Sequence, residues 1–400
     1  MFLHCRRALP RGRHFLAFLF VFSLLAVPVF GQTPADSAPP PAGSVVPPDK
    51  PWYQDLSFNG LVSTSFVVNF NTPASRTNQY RIFDADDRSF KLDVFELDVQ
   101  RAISTPGQAG FRADLTFGSS VSKVTAAAGL FRDDDGQAGD FDIHQAFASY
   151  IAPFGRGLRF DAGKFVTHIG YEVIEGYDGF NDNHSRSFLF GYAEPVSHTG
   201  LRLSYPFSDT VSGQFYLVNG WDNAKDNNRG KSLGFQLAVT PAPRVSVTAN
   251  YLGGPEQTDN DDHLRHIIDL VAIVKATPVI TFSANFDYGR EAQAALADTA
   301  GGGVNDVTWQ GVAGYVRFTL SPRTALILRG EWFDDPQGAR TAVVQRLSEF
   351  TITPEFRLHP KFVLRGDLRR DHSSHAVFET RDGTFTAGQV TLSVNGLLIF

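Results

Sequence analysis

The sequence predicts an all-β fold: a transmembrane, antiparallel, up-and-down β-barrel of about sixteen strands, with fourteen as the alternative count. Three observations carry this. Over residues 390–400, Val390, Leu392, Val394, Leu398 and Phe400 share one face, and Thr391, Ser393 and Asn395 the other. A period of two is a strand signal. The same alternation recurs along the chain, each apolar face being answered by a polar or charged one. The connections between alternating segments are by turns short and long, the pattern of outer-membrane barrels.

Taken in order, the chain opens as an export signal. Arg6, Arg7, Arg11 and Arg13 precede an apolar core from Phe15 to Val29, and small-residue cleavage geometry follows around Gly31. Ser23 and Pro28 interrupt that core, which is short for a membrane span. Residues 1–31 are therefore expected to be a cleaved signal peptide. No second long apolar run exists, which excludes a helical membrane protein. Cys5 is the only cysteine and precedes the apolar core, so the exported chain has no disulfide or thiolate chemistry. Losing four arginines and no acid moves the formal charge from −6 to −10, which disfavours a nucleic-acid partner. Residues 32–51 are Pro/Ala-rich without periodicity and read as a periplasmic linker. Residues 52–400 read as one barrel domain.

Strands are expected to start near Ser57, Phe90, Ala109, Phe141, Gly157, Val196, Val211, Lys231, Arg244, His263, Val279, Thr308, Arg323, Gln345, Lys361 and Ala387. Seven short connections carry Pro106, Pro153, Pro206, Pro241 with Pro243, Pro278, Pro322 and Pro360, and read as periplasmic turns. Eight long polar ones, near 71–89, 120–140, 167–195, 220–230, 253–262, 291–307, 334–344 and 371–386, read as extracellular loops. An even strand count puts both termini on the periplasmic side. The expected lipid-facing sets are Phe111/Ala113/Leu115/Phe117, Leu233/Phe235/Leu237/Val239, Phe282/Ala284/Phe286/Tyr288 and Phe362/Leu364/Leu368. Their inward partners are Arg112/Asp114/Thr116, Gln236/Thr240, Thr281/Ser283/Asn285/Asp287 and Arg365/Asp367/Arg369. A charge near the middle of the lipid face costs roughly 2–4 kcal/mol, so the charges go inside. Pro354 cannot donate to a ladder and predicts a bulge. Residues 90–95 and 143–150 are ambiguous in phase.

Sixteen strands leave an aqueous channel, so the function lies in what narrows it. The longest connection, 167–195, is expected to fold inward as the constriction, presenting Glu172, Glu175, Asp178, Asp182 and Glu194. The wall supplies Arg112, Arg202, Arg317, Arg329, Arg357, Arg365 and Arg369. An acidic loop facing arginines would set a field that filters solutes by size and charge. The inward Glu96, Asp98, Asp114, Asp287, Glu331, Glu355 and Asp367 offset much of the basic charge, so strong anion selectivity is not indicated.

Residues 163–172 (from Gly163 to Glu172), Asn183 to Ser187, Glu194 with Pro195, His198 to Gly200, Val218 to Asp222 and Asp226 to Lys231 resemble the OmpL-like β-barrel porins. The resemblance is specific over about 141–240 and generic elsewhere. It implies an outer-membrane porin in a Gram-negative-type envelope, with undefined solutes. It also implies that the terminal Phe400 is read by the barrel-assembly machinery. Outer-membrane lipid and small hydrophilic solutes are the expected partners, and a homo-trimer is expected by analogy alone.

Other chemistry is weaker. Gly230, Ser232 and Gly234 match GxSxG but lie in a strand rather than a strand–turn–helix. Lys225 occupies the position where a phosphate loop needs glycine. His263 and His266 fall on opposite faces, and His372 and His375 lack companion ligands. Asp133 to Asp135 with Asp140, and Asp222 with Asp226 and Asn228, offer hard oxygens for calcium but lack EF-hand spacing. Trp52, Tyr53, Trp221, Trp309 and Trp332 are expected in interfacial girdles, Trp221 alternatively against solute. No cofactor, metal or enzymatic activity is expected. The alternatives are a channel specific for anions or oligosaccharides, and a closed structural or enzymatic barrel; an enzyme would need Ser232, or His184 with Ser185, to find partners.

Overall fold

The structure is a computed structural model describing residues 51–126, 129–131, 137–295 and 304–400. The expected signal and most of the linker lie outside the described residues, as do Asp133 to Asp135.

After a short 3-10 turn (Trp52–Asp55) the strands follow in order: β1 (Ser57–Asn69), β2 (Ser89–Arg101), β3 (Ala109–Phe117), β4 (Phe141–Ala152), β5 (Leu158–Val166), β6 (Ser197–Pro206), β7 (Val211–Val218), β8 (Ser232–Ala242) and β9 (Val245–Pro255). Then come β10 (Leu264–Lys275), β11 (Ile280–Ala295), β12 (Val304–Ser321), β13 (Thr324–Asp335), β14 (Gln345–His359) and β15 (Phe362–Ser373). Two short strands, β16 (Phe378–Glu379) and β17 (Phe385–Thr386), form a hairpin inside the last loop, and β18 (Gly388–Ile399) ends the chain. Sixteen of these, all but β16 and β17, close into a single antiparallel barrel.

Every short connection holds the proline-containing turn expected of it. The long loops all leave the opposite rim. β11 and β12 run further than the sequence suggested, to Ala295 and from Val304, consuming part of the 291–307 connection.

The barrel is apolar outside and charged inside. On β11, Phe282, Phe286 and Tyr288 are exposed while Ser283, Asn285 and Asp287 are buried. On β15, Leu368 is exposed while Arg365, Asp367 and Arg369 are at most 2% exposed. A continuous apolar girdle of this kind requires lipid rather than water against it.

The two ambiguous segments each contain a bulge. Between β1 and β2 the register slips at Ser63/Thr64, leaving Asp93 as the extra residue, and both Asp93 and Val94 are buried. Between β3 and β4 it slips at Asp114/Leu115, leaving His144 extra, so His144 and Gln145 both point inward. A bulge inserts one residue and flips the facing pattern, which is why a period-two reading lost its phase there. Both segments remain strands, and the count is sixteen. The bulge expected at Pro354 does not form. Pro354 pairs with Leu326 on β13, and on the β15 side the ladder skips residues 353–354 and resumes in the same register. Proline lacks only its own N–H, so an omitted pair suffices.

The barrel closes where β1 meets β18. Gly60 and Phe400 exchange backbone hydrogen bonds at 3.1 and 3.0 Å. A Cβ at Gly60 would collide with the Phe400 ring, so this close approach requires glycine there.

Candidate functional site

Loop 167–195 leaves β5 and enters the lumen. Its acids meet the wall arginines in direct contact. Arg329 on β13 donates to Glu172 and to Glu349 on β14, both at 2.8 Å. Arg365 on β15 donates to Glu175 at 2.6 Å, and Arg317 on β12 to Asp182 at 2.5 Å and Glu355 at 2.6 Å. At the loop's tip, Arg112 on β3 donates to Asp178 at 2.6 Å.

The loop backbone is held by the same wall. The N–H groups of Phe188 and Leu189 both donate to Glu331 at 2.7 Å, opening a π-helical turn over Leu189–Ala193. The backbone N–H and hydroxyl of Ser185 both donate to Asp367 at 2.7 Å, and Asn183 donates to Thr353 at 2.6 Å. The last residue of the turn, Ala193, accepts from the Trp309 indole at 3.1 Å. Carboxylates satisfied by backbone N–H groups and guanidinium forks form the stronger, charge-assisted class of hydrogen bond.

A second inward loop went unforeseen. In residues 70–88, Asp84 accepts from Arg369 at 2.6 Å. Arg81 donates to Asp371 at 2.5 Å and to the Arg186 carbonyl at 2.7 Å, with its guanidinium 3.8 Å from the Phe188 ring centroid. The mixed charges Arg81, Asp84, Asp86, Asp87 and Arg88 were visible as a polar loop, but nothing in their spacing distinguishes pairing inward from solvation.

The expected site residues thus divide. Glu175, Arg329, Arg365 and Arg369 belong to buried ion-pair clamps, with Arg329, Arg365 and Arg369 at most 1% exposed. Arg112, Arg202, Asp178, Glu172 and Glu194 border a cavity of about 750 Å³ between the loop and the wall formed by β2 to β8. Arg101, Arg159, Glu96 and Asp161 complete its charged lining. Asp182 borders a separate space of about 210 Å³ with Tyr171 and Tyr315. Arg357 is half-buried, 5.9 Å from the Phe180 ring centroid.

The girdle expectation fails for two tryptophans. Trp221 and Trp309 are buried, their rings T-shaped at 6.0 Å, with the Arg340 guanidinium about 5 Å from both. Trp309 lies on the inward face of β12, where Val307 and Ala313 are buried with it. Trp332 is outward and 38% exposed.

The acids near Trp221 are already engaged. Asp222 accepts the N–H groups of Val196 and Ser197 at 2.6 and 2.9 Å, and Asp226 pairs with Lys231 at 2.5 Å. Ser232 donates to Glu256 at 2.6 Å, and Glu256 also accepts the Trp221 backbone N–H at 2.6 Å. Glu256 lies beyond the end of β9, where burial pushes its carboxyl up to about 7 despite those two donors. A folded-state value above the unfolded one means that stability is greatest in acid and falls as pH rises from about 4.5 towards 7. Relative to wild type, Glu256→Gln is expected to flatten the fall in melting temperature over that window. Equal pH slopes in the two proteins would refute it.

Two groups offer metal-ligand geometry, Glu96 with Asp114 and His144, and Glu194 with Asp269 and Asp287. In the first, Arg112 already donates to Asp114 at 2.9 Å.

A closed sixteen-stranded barrel, apolar outside and charged within, with a long loop held in its lumen, defines an outer-membrane channel of the porin class. The chain belongs to the family described as "Putative beta-barrel porin-2, OmpL-like", which matches residues 55–400. It is a porin of the outer membrane. The barrel is similar to the anion-selective porin from Comamonas acidovorans, with 14% identity and TM-score 0.55 over 86% of this chain and 99% of that one. It is similar to the outer membrane channel DcaP of Acinetobacter baumannii, with 12% identity and TM-score 0.54 over 86% and 97%. It is also similar to OprB of Pseudomonas putida, with 12% identity and TM-score 0.57 over 87% and 95%. No curated protein sequence matches the chain.

Proposed function

We propose that this porin passes small hydrophilic solutes passively, with loop 167–195 as its constriction and the 750 Å³ cavity beside β2 to β8 as the narrow part of the route. One observation carries the reading: Glu172, Glu175 and Asp182 of the loop are clamped to β12–β15 while Asp178 reaches across to Arg112 on β3, which leaves the half of the lumen beside β2 to β8 as the polar space. In that space four arginines (Arg101, Arg112, Arg159, Arg202) face five carboxylates (Glu96, Asp161, Glu172, Asp178, Glu194). Near balance supports weak charge selectivity rather than an anion-specific channel.

The proline-turn rim is assigned to the periplasm, with both termini, and the long loops to the outside. An enzymatic role has little support. Ser393, His184 and Asp93 form a serine–histidine–aspartate arrangement, with contacts of 3.3 and 3.5 Å. All three are at most 3% exposed, so no substrate carbonyl reaches the hydroxyl. A trimer is in keeping with porin neighbours, one of which is described in a trimer form.

The test is conductance of the purified protein in a planar bilayer under a salt gradient. Stable open steps with a small reversal potential are expected. A folded barrel that stays silent would overturn the passive-channel reading.

A further inference from the structure

We propose that Glu194, Asp269 and Asp287 form a calcium site that fastens the outgoing end of loop 167–195 to the barrel wall. Asp269 on β10 and Asp287 on β11 are directly paired across the ladder, and both side chains are fully buried. Like charges in that position repel. Glu194 brings a third carboxylate to the same point, with one oxygen of each within 4.8 Å of the others. A point equidistant from three oxygens at that spacing is about 2.8 Å from each, and calcium–oxygen bonds of 2.3–2.6 Å need only a slight contraction.

The surroundings supply no countercharge. Among the described residues, Glu172, Glu175, Asp178 and Asp182 of this loop each pair with an arginine. Glu194 and its two companions meet one another and neutral donors: Asn250, Asn285 and the Gly170 backbone donate to Asp269, Asn285 reaches Asp287 at 3.3 Å, and the Asp287 carboxyl is in hydrogen-bond contact with those of Glu194 and Asp269. One oxygen of Asp287, Oδ1, is buried and accepts from no donor outside the carboxyl cluster. Ionised together, three buried carboxylates with an oxygen that no outside donor satisfies call for a cation in place of shared protons. The ligand set is oxygen only, which suits calcium over zinc or copper.

Access and positioning agree. Glu194 borders the lumen cavity, so an ion can arrive from the aqueous side. Gly170, at φ +96°, lies against the Glu194 carboxylate where a Cβ would collide. Glycine at that turn therefore lets both ends of the loop close around the site.

The experiment strips the folded, detergent-solubilised barrel with chelator and measures calcium retention by equilibrium dialysis up to about 1 mM, where even weak calcium modules fill. One calcium per chain is expected. Glu194→Gln and Asp287→Asn are each expected to lower affinity at least tenfold, whereas Asp226→Asn, at a residue outside the cluster that pairs with Lys231, leaves it unchanged. Asparagine at 287 also removes a repelling charge. Without calcium, D287N is therefore expected to melt above wild type, and only wild type is expected to gain stability when calcium is added. Heat-modifiable electrophoretic migration verifies that each variant is folded. No retained calcium, retention undiminished in folded E194Q and D287N, or preference for zinc would each overturn the site. The assay reads binding rather than conductance, so its outcome is independent of the channel reading.

Discussion

Replacing Arg329 with alanine is expected to lower the barrel's stability by roughly 3–5 kcal/mol, the usual cost of removing one partner from a buried ion pair. Arg329 donates to Glu172, Glu349, the Ser185 carbonyl and hydroxyl, and Thr351 from a side chain with no exposure. Alanine leaves Glu172 and Glu349 buried without that cation. The barrel ladder is untouched, so the damage falls on the loop's attachment. The expected signature is a lower melting temperature with larger, noisier single-channel steps. Arg329→Lys keeps the charge but not the planar fork, and should recover only part of the loss. Wild-type melting and wild-type steps in R329A would show that the loop is held in some other way.

The second large effect concerns selectivity. Arg159 and Arg202 converge on Asp161, each at 2.8 Å, on the open side of the lumen. Changing both to glutamine shifts the lining from four arginines against five carboxylates to two against five. The cation-to-anion permeability ratio is expected to rise several-fold, and further at low salt, where screening is weak. Zero-current potentials across a potassium chloride gradient measure it. An unchanged potential would place the conducting route elsewhere. The same double change at buried Arg365 and Arg369 is expected to alter stability more than selectivity, because their charges are neutralised by contact with Glu175, Asp84 and Asp371.

Much of this architecture is legible in the sequence because lipid imposes a rule on every strand. Phe286 outward and Asp287 inward follow from the period of two alone. The failures are local and have physical causes. At Asp93 and His144 a single inserted residue inverts the phase, and no composition signal marks it. Trp309 reads as an interfacial aromatic by type, but its parity puts it inside, where Ala193 offers its indole an acceptor. For the site, alternation identifies which arginines face inward but not which of them meet water. That depends on where residues 70–88 and 167–195 lie, and loop paths are set by pairings such as Arg369 with Asp84, more than 250 residues apart in sequence. The charges of Glu194, Asp269 and Asp287 are readable, but their convergence comes only from the ladder between β10 and β11.

The junction of Gly60 with Phe400 has a consequence for how the cylinder is made. Every other neighbouring pair in the wall joins barrel strands that follow one another in the chain, so each has only a turn or a single loop to close. Leu61 and Ile399 lie roughly 340 residues apart, so their contact is the one with the greatest loop to close. Until that clasp is fastened, the protein is a ribbon with two bare edges, whose backbone groups find no partners in hydrocarbon. Fastening that one pair removes both edges at once. The meeting of Gly60 with Phe400 is thus the seam at which the ribbon becomes a cylinder.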